Sequence, residues 1–203
     1  MVKDLVIIVI ILTKYGLLIN IHLSLKKTLL ALVLHGGFMS KIQNNANKVD
    51  EVIAVNRTAI EHRATWMGLI YDEMVKAGID AEPIIRRAIK RCGNIHGENI
   101  KNRCANPDNC EDFRKAFLGD LNLKTFDMHP VSANNDSLSA DFHYCALISA
   151  WQKLGFDDKT CDLLCDMAMD GDRGIAEVMG LTLSLDETIA RGCSACKLRF
   201  RKK

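Results

Sequence analysis

The chain has 203 residues, of which 48% are hydrophobic and 26% charged, with a formal net charge of +2. That is enough for one ordinary domain with a real core, and the composition excludes disordered, collagen-like and coiled-coil classes. The small charge and the lack of a Lys/Arg stripe interleaved with aromatics argue against a nucleic-acid partner, so Arg199, Arg201, Lys202 and Lys203 read as a solvated end.

Residues 1–38 carry Lys3, Lys14, Lys26 and Lys27 against Asp4, and they hold two apolar runs, Leu5–Leu12 and Leu29–Leu34. Three readings compete. Residues 5–25 are long enough for a membrane anchor, although Lys14 near the middle costs about 2.5–3.5 kcal/mol on insertion scales. Either run suits the core of a signal peptide, but no Ala-x-Ala-like cleavage site follows. The third reading starts the protein at Met39, with His35-Gly36-Gly37-Phe38 translated from a ribosome-binding stretch. Residues 1–38 are then a hydrophobic leader outside the native protein, and residues 39–203 are a single cytoplasmic domain. A native amphipathic extension is the remaining alternative. A membrane is a partner only if residues 1–38 are native.

Along the rest of the chain, apolar residues three or four apart predict a helix over Val49–Lys76, ended near Gly78. Asp80 as N-cap and Pro83 in the first turn predict a second helix reaching about Cys92, with Arg86, Arg87, Lys90 and Arg91 on its polar face. One of these cations, Arg86, is a candidate to hold a substrate carboxylate if it points inward; otherwise the face is solvated. After the Asn106-Pro107-Asp108 turn comes a helix over Glu111–Leu118. Leu121, Leu123 and Thr125 alternate with polar residues, predicting a strand that runs on past Met128 to a break at Pro130, and Ser132–Ser139 reads as loop. Further helices are expected from Ser139 or Asp141 to Leu154, stopped by Gly155, and from an Asp157/Asp158 cap to about Met169. Leu181–Ile189 and Lys197–Arg201 alternate as the strands of a C-terminal antiparallel hairpin. The expected fold class is α+β, predominantly helical, with that hairpin or a small sheet.

Eight cysteines are too few for a disulfide scaffold, and only Cys193-Ser194-Ala195-Cys196 has the C-x-x-C form. A closed zinc ribbon would need a second such pair. Reduced thiols are therefore expected. The candidate chemistry lies beyond residue 140. A thiol at Cys145, in the first turn of a helix, would sit at the positive end of the dipole with His143 as a neighbouring base. The plainer alternative is a small core cysteine beside a surface histidine. Asp172, in the run Asp170-Gly171-Asp172-Arg173 at the end of the next helix, either meets solvent or serves the thiol site as an acid/base group. The short Gly155 connection makes two helices antiparallel neighbours, which predicts that Cys145, Cys165 and Cys196 approach one another. These thiols with His143 are equally the donor set for a zinc-like metal that would activate water.

The segments Cys145-Ala-Leu-Ile-Ser-Ala-Trp-Gln-Lys-Leu-Gly155, Leu164-Cys165-Asp166, Gly171-Asp172, and Leu185-Asp-Glu-Thr188-Ile-Ala-Arg-Gly192 through Cys196 to Phe200 resemble the L-2-amino-thiazoline-4-carboxylic acid hydrolase family. The stretch Asn56–Gly97, with Arg86, Ala88 and Gly93, is similar to its front half more loosely. Gly192-Cys193 and Lys197-Leu198-Arg199-Phe200 depart from the family's more acidic pattern at the corresponding places. The resemblance implies hydrolytic opening of a cyclic C–N/C–S substrate to an N-carbamoyl amino acid. It also implies Cys145, Cys165, Cys196 and Asp172 (or Asp166) as site residues. Cys145 would be the nucleophile, His143 the base, Asp172 the orienting acid, and an arginine the carboxylate holder. A non-enzymatic metal-binding or redox-sensing module is the alternative class.

Overall fold

Asp50 accepts a hydrogen bond from the Ile53 N–H (2.9 Å) and so caps the first helix, α1 (Glu51–Lys76), which ends before Gly78 at φ +72°. The computed structural model describes residues 40–203, so the readings of residues 1–38 lie outside the described residues. No helix among the described residues is long and apolar enough to cross a membrane. The helix α1 buries Ile53, Ile60, Ala64 and Gly68. At Gly68 a Cβ would come within 2.9 Å of the Phe156 ring, and the Ala64 carbonyl accepts from the Trp151 indole at 2.9 Å.

The second helix, α2 (Glu82–Lys101), is capped at Ala81 rather than Asp80 and runs past Cys92. Gly93 and Gly97 do not end it, because both lie on its buried face. A Cβ on Gly93 would stand 2.1 Å from the Gly171 carbonyl oxygen, so here glycine serves close backbone approach rather than a turn. Next come α3 (Cys110–Phe117), as expected from the turn, and α4 (Asp120–Thr125). The latter corrects the expected strand over residues 121–125. Leu121 stays exposed, and buried Thr125 bonds back to the Leu121 carbonyl at 2.6 Å, a helical spacing.

Strand β1 (Met128–Ala133) carries Pro130 inside it, and a tight turn on Asn134 leads into β2 (Ser137–Phe142). These two strands replace the expected loop and the start of the expected helix. Leu138 and Ala140 point into the core while Ser137, Ser139 and Asp141 face outward, a half-buried strand whose polar half dominated the sequence signal. The following helices are α5 (Ala146–Lys153), α6 (Asp158–Ala168, capped by Asp157) and α7 (Asp170–Val178). The helix α7 corrects another expectation. Met169 keeps helical angles (φ −67°, ψ −11°), so the chain bends and starts a new helix at once, and Asp170 and Asp172 sit at a positive dipole end, not a negative one.

Strand β3 (Leu181–Leu185), a 3-10 turn at Ile189–Arg191 and β4 (Cys196–Lys202) complete the chain. The predicted hairpin forms, with Leu183 opposite Phe200, though its first strand ends at Leu185. The four strands are antiparallel in the order β1-β2-β4-β3, which makes β4 central. The fold is α+β, mainly helical with a small sheet, as the sequence predicts. One core cluster packs Leu138, Leu198 and Phe200 against Phe113 of α3 and Ile175 of α7. The other packs Ala64, Ile148, Trp151, Leu164 and Met167 among α1, α5 and α6. Phe142 and Leu185 touch both clusters, and the candidate site lies at this seam.

Candidate active site

The sulfur-bearing wall is built from three elements. Cys145 is the N-cap residue of α5, extended at φ −132° and ψ 113°. Its backbone is held on both sides by Asn44, whose Oδ1 accepts from the Cys145 N–H and whose Nδ2 donates to the Cys145 carbonyl, each at 2.8 Å. Asn44 belongs to a strap over residues 40–48. Ser40 Oγ and the Lys41 N–H both bond Asp158 at the start of α6, buried Ile42 joins the core, and the Ile42 carbonyl accepts from Gln152. Cys165 is buried on α6, and Cys196 opens β4 with its sulfur accepting the Ile189 N–H at 3.2 Å.

These three thiols and Asp172 line one inner chamber of about 110 Å³, walled by Phe142, Leu147 and Trp151. The predicted convergence of Cys145, Cys165 and Cys196 is thus present in the fold. Burial pushes the thiols up. Cys196 rises to about 12, with the charge of Cys145 adding and the Ile189 N–H opposing, and Cys165 rises well above the usual thiol value. Cys145 is raised by burial as well, drawn back by the Ile148 and Leu147 N–H groups that face its sulfur, and pushed up again by the charge of Asp172. All three are neutral thiols near pH 7.

Asp172 lies in the first turn of α7, half-buried, and its carboxylate makes no hydrogen bond or ion pair with the other described residues. Burial pushes it up to about 6, with the charge of Arg173 opposing. The carboxylates on either side of the α6/α7 bend are used otherwise. Asp166 bonds Arg86 and Arg173 at 2.6 Å each, and Asp170 bonds Arg173 at 2.7 Å and Arg86 at 3.1 Å. With Glu82, which also pairs with Arg86, these side chains form a five-membered ion network that fixes the bend from which Asp172 projects.

Asp172 also lines a second, outer cleft of about 340 Å³, which shares Phe126, Phe142, Leu147 and Ala168 with the inner chamber. Its other lining residues include Arg63 from α1, Cys92, Gly93 and His96 from α2, and Asn122 from α4.

Two expected site residues stand elsewhere. The His143 ring donates from Nε2 to the His129 carbonyl at 2.7 Å, packs against the His129 ring at 4.2 Å between centroids with the planes tilted by 43°, and lines neither cavity. Arg86 also lines neither; its guanidinium is occupied by Asp166, Asp170 and Glu82, the last at 2.9 Å from Nε. Among the described residues, no three His, Cys, Asp or Glu side chains are grouped as a metal would require. The donor set of Cys145, Cys165, Cys196 and His143 is divided, because the histidine is turned to His129.

The family model described as L-2-amino-thiazoline-4-carboxylic acid hydrolase matches residues 57–200. The chain belongs to this family. No curated protein matches it. The L-2-amino-thiazoline-4-carboxylic acid hydrolase match takes in every residue of the thiol chamber and of the cleft, from Arg63 to Leu198, but not Asn44. Sequence reasoning found Cys145, Cys165, Asp172 and Cys196 and missed Arg63, His96, Asn122 and Asn44. Arg63, His96 and Asn122 carry no shared motif. They meet because Gly93 and Gly97 let α2 lie against α7 and carry His96 to the cleft, and no local pattern announces that.

Proposed function

We propose that the chain hydrolyses a small 2-amino-thiazoline-type carboxylic acid, opening the ring between C2 and sulfur with Asp172 as the proton carrier. The observation that carries this reading is the position of Asp172: an unpaired carboxylate in the wall common to an open cleft and a closed, thiol-lined chamber. The family name supports the reaction class.

C2 of an aminothiazoline is an amidine carbon, electrophilic once its nitrogens carry a proton. Ionised Asp172 takes a proton from a water as its oxygen bonds to C2, giving a tetrahedral carbon that bears oxygen, two nitrogens and sulfur. The C2–S bond then breaks, Asp172 returns the proton to the departing sulfur, and the amidine carbon becomes the carbonyl of an N-carbamoyl amino acid with a free thiol. One water is consumed, and no oxidant or reductant is needed. A carboxyl group poised near 6 suits both halves of this transfer at neutral pH. The neutral sulfurs of Cys145, Cys165 and Cys196 offer weakly polar, polarizable contacts that suit a ring sulfur and its thiol product.

A second reading makes Cys145 the nucleophile, and its place as N-cap residue at the positive end of α5, in the wall of the chamber that Asp172 shares, favours it. In that version Asp172 takes the thiol proton as Cys145 Sγ bonds to C2 and returns it to the departing ring sulfur; water then adds to the S-amidino carbon, its oxygen becomes the carbamoyl carbonyl, and Cys145 leaves as the thiol.

The test is to incubate purified protein with 2-amino-thiazoline-4-carboxylic acid, following thiol release and product mass across pH. Wild type is expected to form the N-carbamoyl product with an acidic limb in kcat/KM near 6, and Asp172→Asn is expected to lose about 10²–10⁴-fold and the limb together. Turnover unchanged in Asp172→Asn refutes the proton-carrier role. Absence of any turnover, with thiol-bound metal in protein purified without added metal, replaces the hydrolase by a binding module.

A further inference from the structure

We infer that the outer cleft is the carboxylate subsite for this substrate class, with Arg63 as its anchor, so that the ligand is an anion carrying an amino-heterocyclic head. The inference rests on the hydrolase reading for what the head is, but not for the anion.

Among the described residues lining the cleft, Arg63 is the sole lysine or arginine. It has no ion pair among the described residues, and the positions three and four away on α1 are Ala59, Ile60, Trp66 and Met67, none of which can neutralise it. Three other cations of α1 and α2 are already engaged. Arg57 is buried, with its donors on the Thr125, Asn47 and Lys124 carbonyls; Arg86 is held by three carboxylates; Lys90 is paired with Glu177 at 2.7 Å. An exposed guanidinium facing a concave, largely apolar wall is a fork for a carboxylate.

The rest of the cleft has the matching polarity. The His96 ring lines the same cleft, one turn beyond Cys92 on α2. Asn122 spends its amide N–H on the Phe117 carbonyl at 3.1 Å, which leaves Oδ1 to accept. Asp172 stands where cleft and chamber meet. The cleft therefore offers a cation for an anion and two oxygen acceptors for N–H groups. Phe117, Phe126, Met128 and Ile175 supply flat apolar contact between them. An amino-heterocyclic carboxylate satisfies all of these, whereas a neutral heterocycle leaves Arg63 unanswered.

The test uses calorimetric titration of the aromatic, non-hydrolysable 2-aminothiazole-4-carboxylate and of its methyl ester against the full chain. The acid is expected to bind wild type and to bind Arg63→Ala about 10–100-fold more weakly, the range for losing a charge-assisted contact. Arg63→Lys should recover part of the loss, Arg91→Ala on the exposed face of α2 should lose nothing, and the ester should bind wild type and Arg63→Ala alike. With the thiazoline acid, Arg63→Ala should raise KM by a similar factor and leave kcat within about threefold. Arg63→Met, which keeps an unbranched apolar side chain, replaces Arg63→Ala if the latter melts early. The inference is overturned if wild type does not bind the acid, if acid and ester bind equally, or if losing Arg63 changes nothing. Arg63-dependent binding of the acid without turnover of the thiazoline would instead sustain the subsite and overturn the hydrolase reading.

Discussion

Asp172 and Cys145, at the starts of different helices, line the same chamber, where burial raises the Cys145 thiol and the charge of Asp172 adds to it. The relationship joins a proton carrier to a sulfur wall across one small chamber. It also sets opposite demands on stability and chemistry.

Asp172 weakens the fold at neutral pH. Its native pKa of about 6 lies above the ordinary 3.8, so the native state keeps this proton through a window in which the unfolded chain has released it. Stability therefore falls as pH rises through that window, and the full burial penalty applies above it. Asp172→Asn is expected to be more stable than wild type by about 1–3 kcal/mol near pH 7.5 and to lose that advantage below about pH 4. Thermal melts at the two pH values measure it, and equal melting temperatures at the higher pH would contradict it.

Cys145 separates the two chemical readings. With water as nucleophile, Cys145→Ser should retain activity within about tenfold, since the side chain then only lines the chamber and the hydroxyl is of similar size. A fall of more than about 10³-fold, with an enzyme-bound adduct of substrate mass in wild type, selects the covalent route. Because burial holds the chamber thiols neutral, iodoacetamide at neutral pH should modify exposed Cys92 before Cys145, Cys165 or Cys196. Peptide mapping of the time course reads this order.

Arg86 should behave as a structural residue. Removing it leaves Asp166 and Asp170 with Arg173 alone, and Arg86→Ala is expected to cost about 1–3 kcal/mol in denaturant unfolding. KM for a carboxylate substrate should stay within about threefold of wild type. A large KM rise without loss of stability would return Arg86 to the site.

Gly93→Ala tests the α2/α7 contact. The new Cβ would meet the Gly171 carbonyl, whereas at Gly97 it would meet the Val178 side chain at 2.9 Å. The overlap at Gly93 is the deeper, 2.1 Å against 2.9 Å, so Gly93→Ala should destabilise by about 3 kcal/mol or more and Gly97→Ala by less. Activity should fall with Gly93→Ala beyond what unfolding explains, since Gly171 precedes Asp172. Equal melting temperatures for the two variants would show that the helices part freely here.

The helices α1, α3 and α6 and the final hairpin were legible because apolar residues recur three or four apart, because Gly78, Gly155 and Asp157 punctuate the chain, and because Leu181, Leu183 and Leu185 alternate. The strand β2 was not, since Ser137, Ser139 and Asp141 share their composition with turns and the buried partners Leu138 and Ala140 are few. The α6/α7 bend was hidden because Asp170-Gly171-Asp172 looks like a helix end; only the packing of Ile175 and Ala176 shows that helix resumes. Cys145, Cys165 and Cys196 could be brought together on paper because short connections tie their elements. Arg63 and His96 could not, because α1 and α2 meet the site across the fold. His143 was misplaced because sequence proximity to Cys145 says nothing of which way the ring turns, and here the His129 carbonyl takes it.

The strap over residues 40–48 also bears on where this domain begins. The family pattern starts at residue 57, inside α1, yet Asn44 grips the backbone of Cys145 and Ser40 and Lys41 grip the start of α6. A protein trimmed to the recognisable pattern would lose the cap of α1, two buried isoleucines (Ile42 and Ile53) and the clamp on its own candidate site at a single cut. The functional unit thus reaches back at least to Ser40, ahead of the segment that similarity detects.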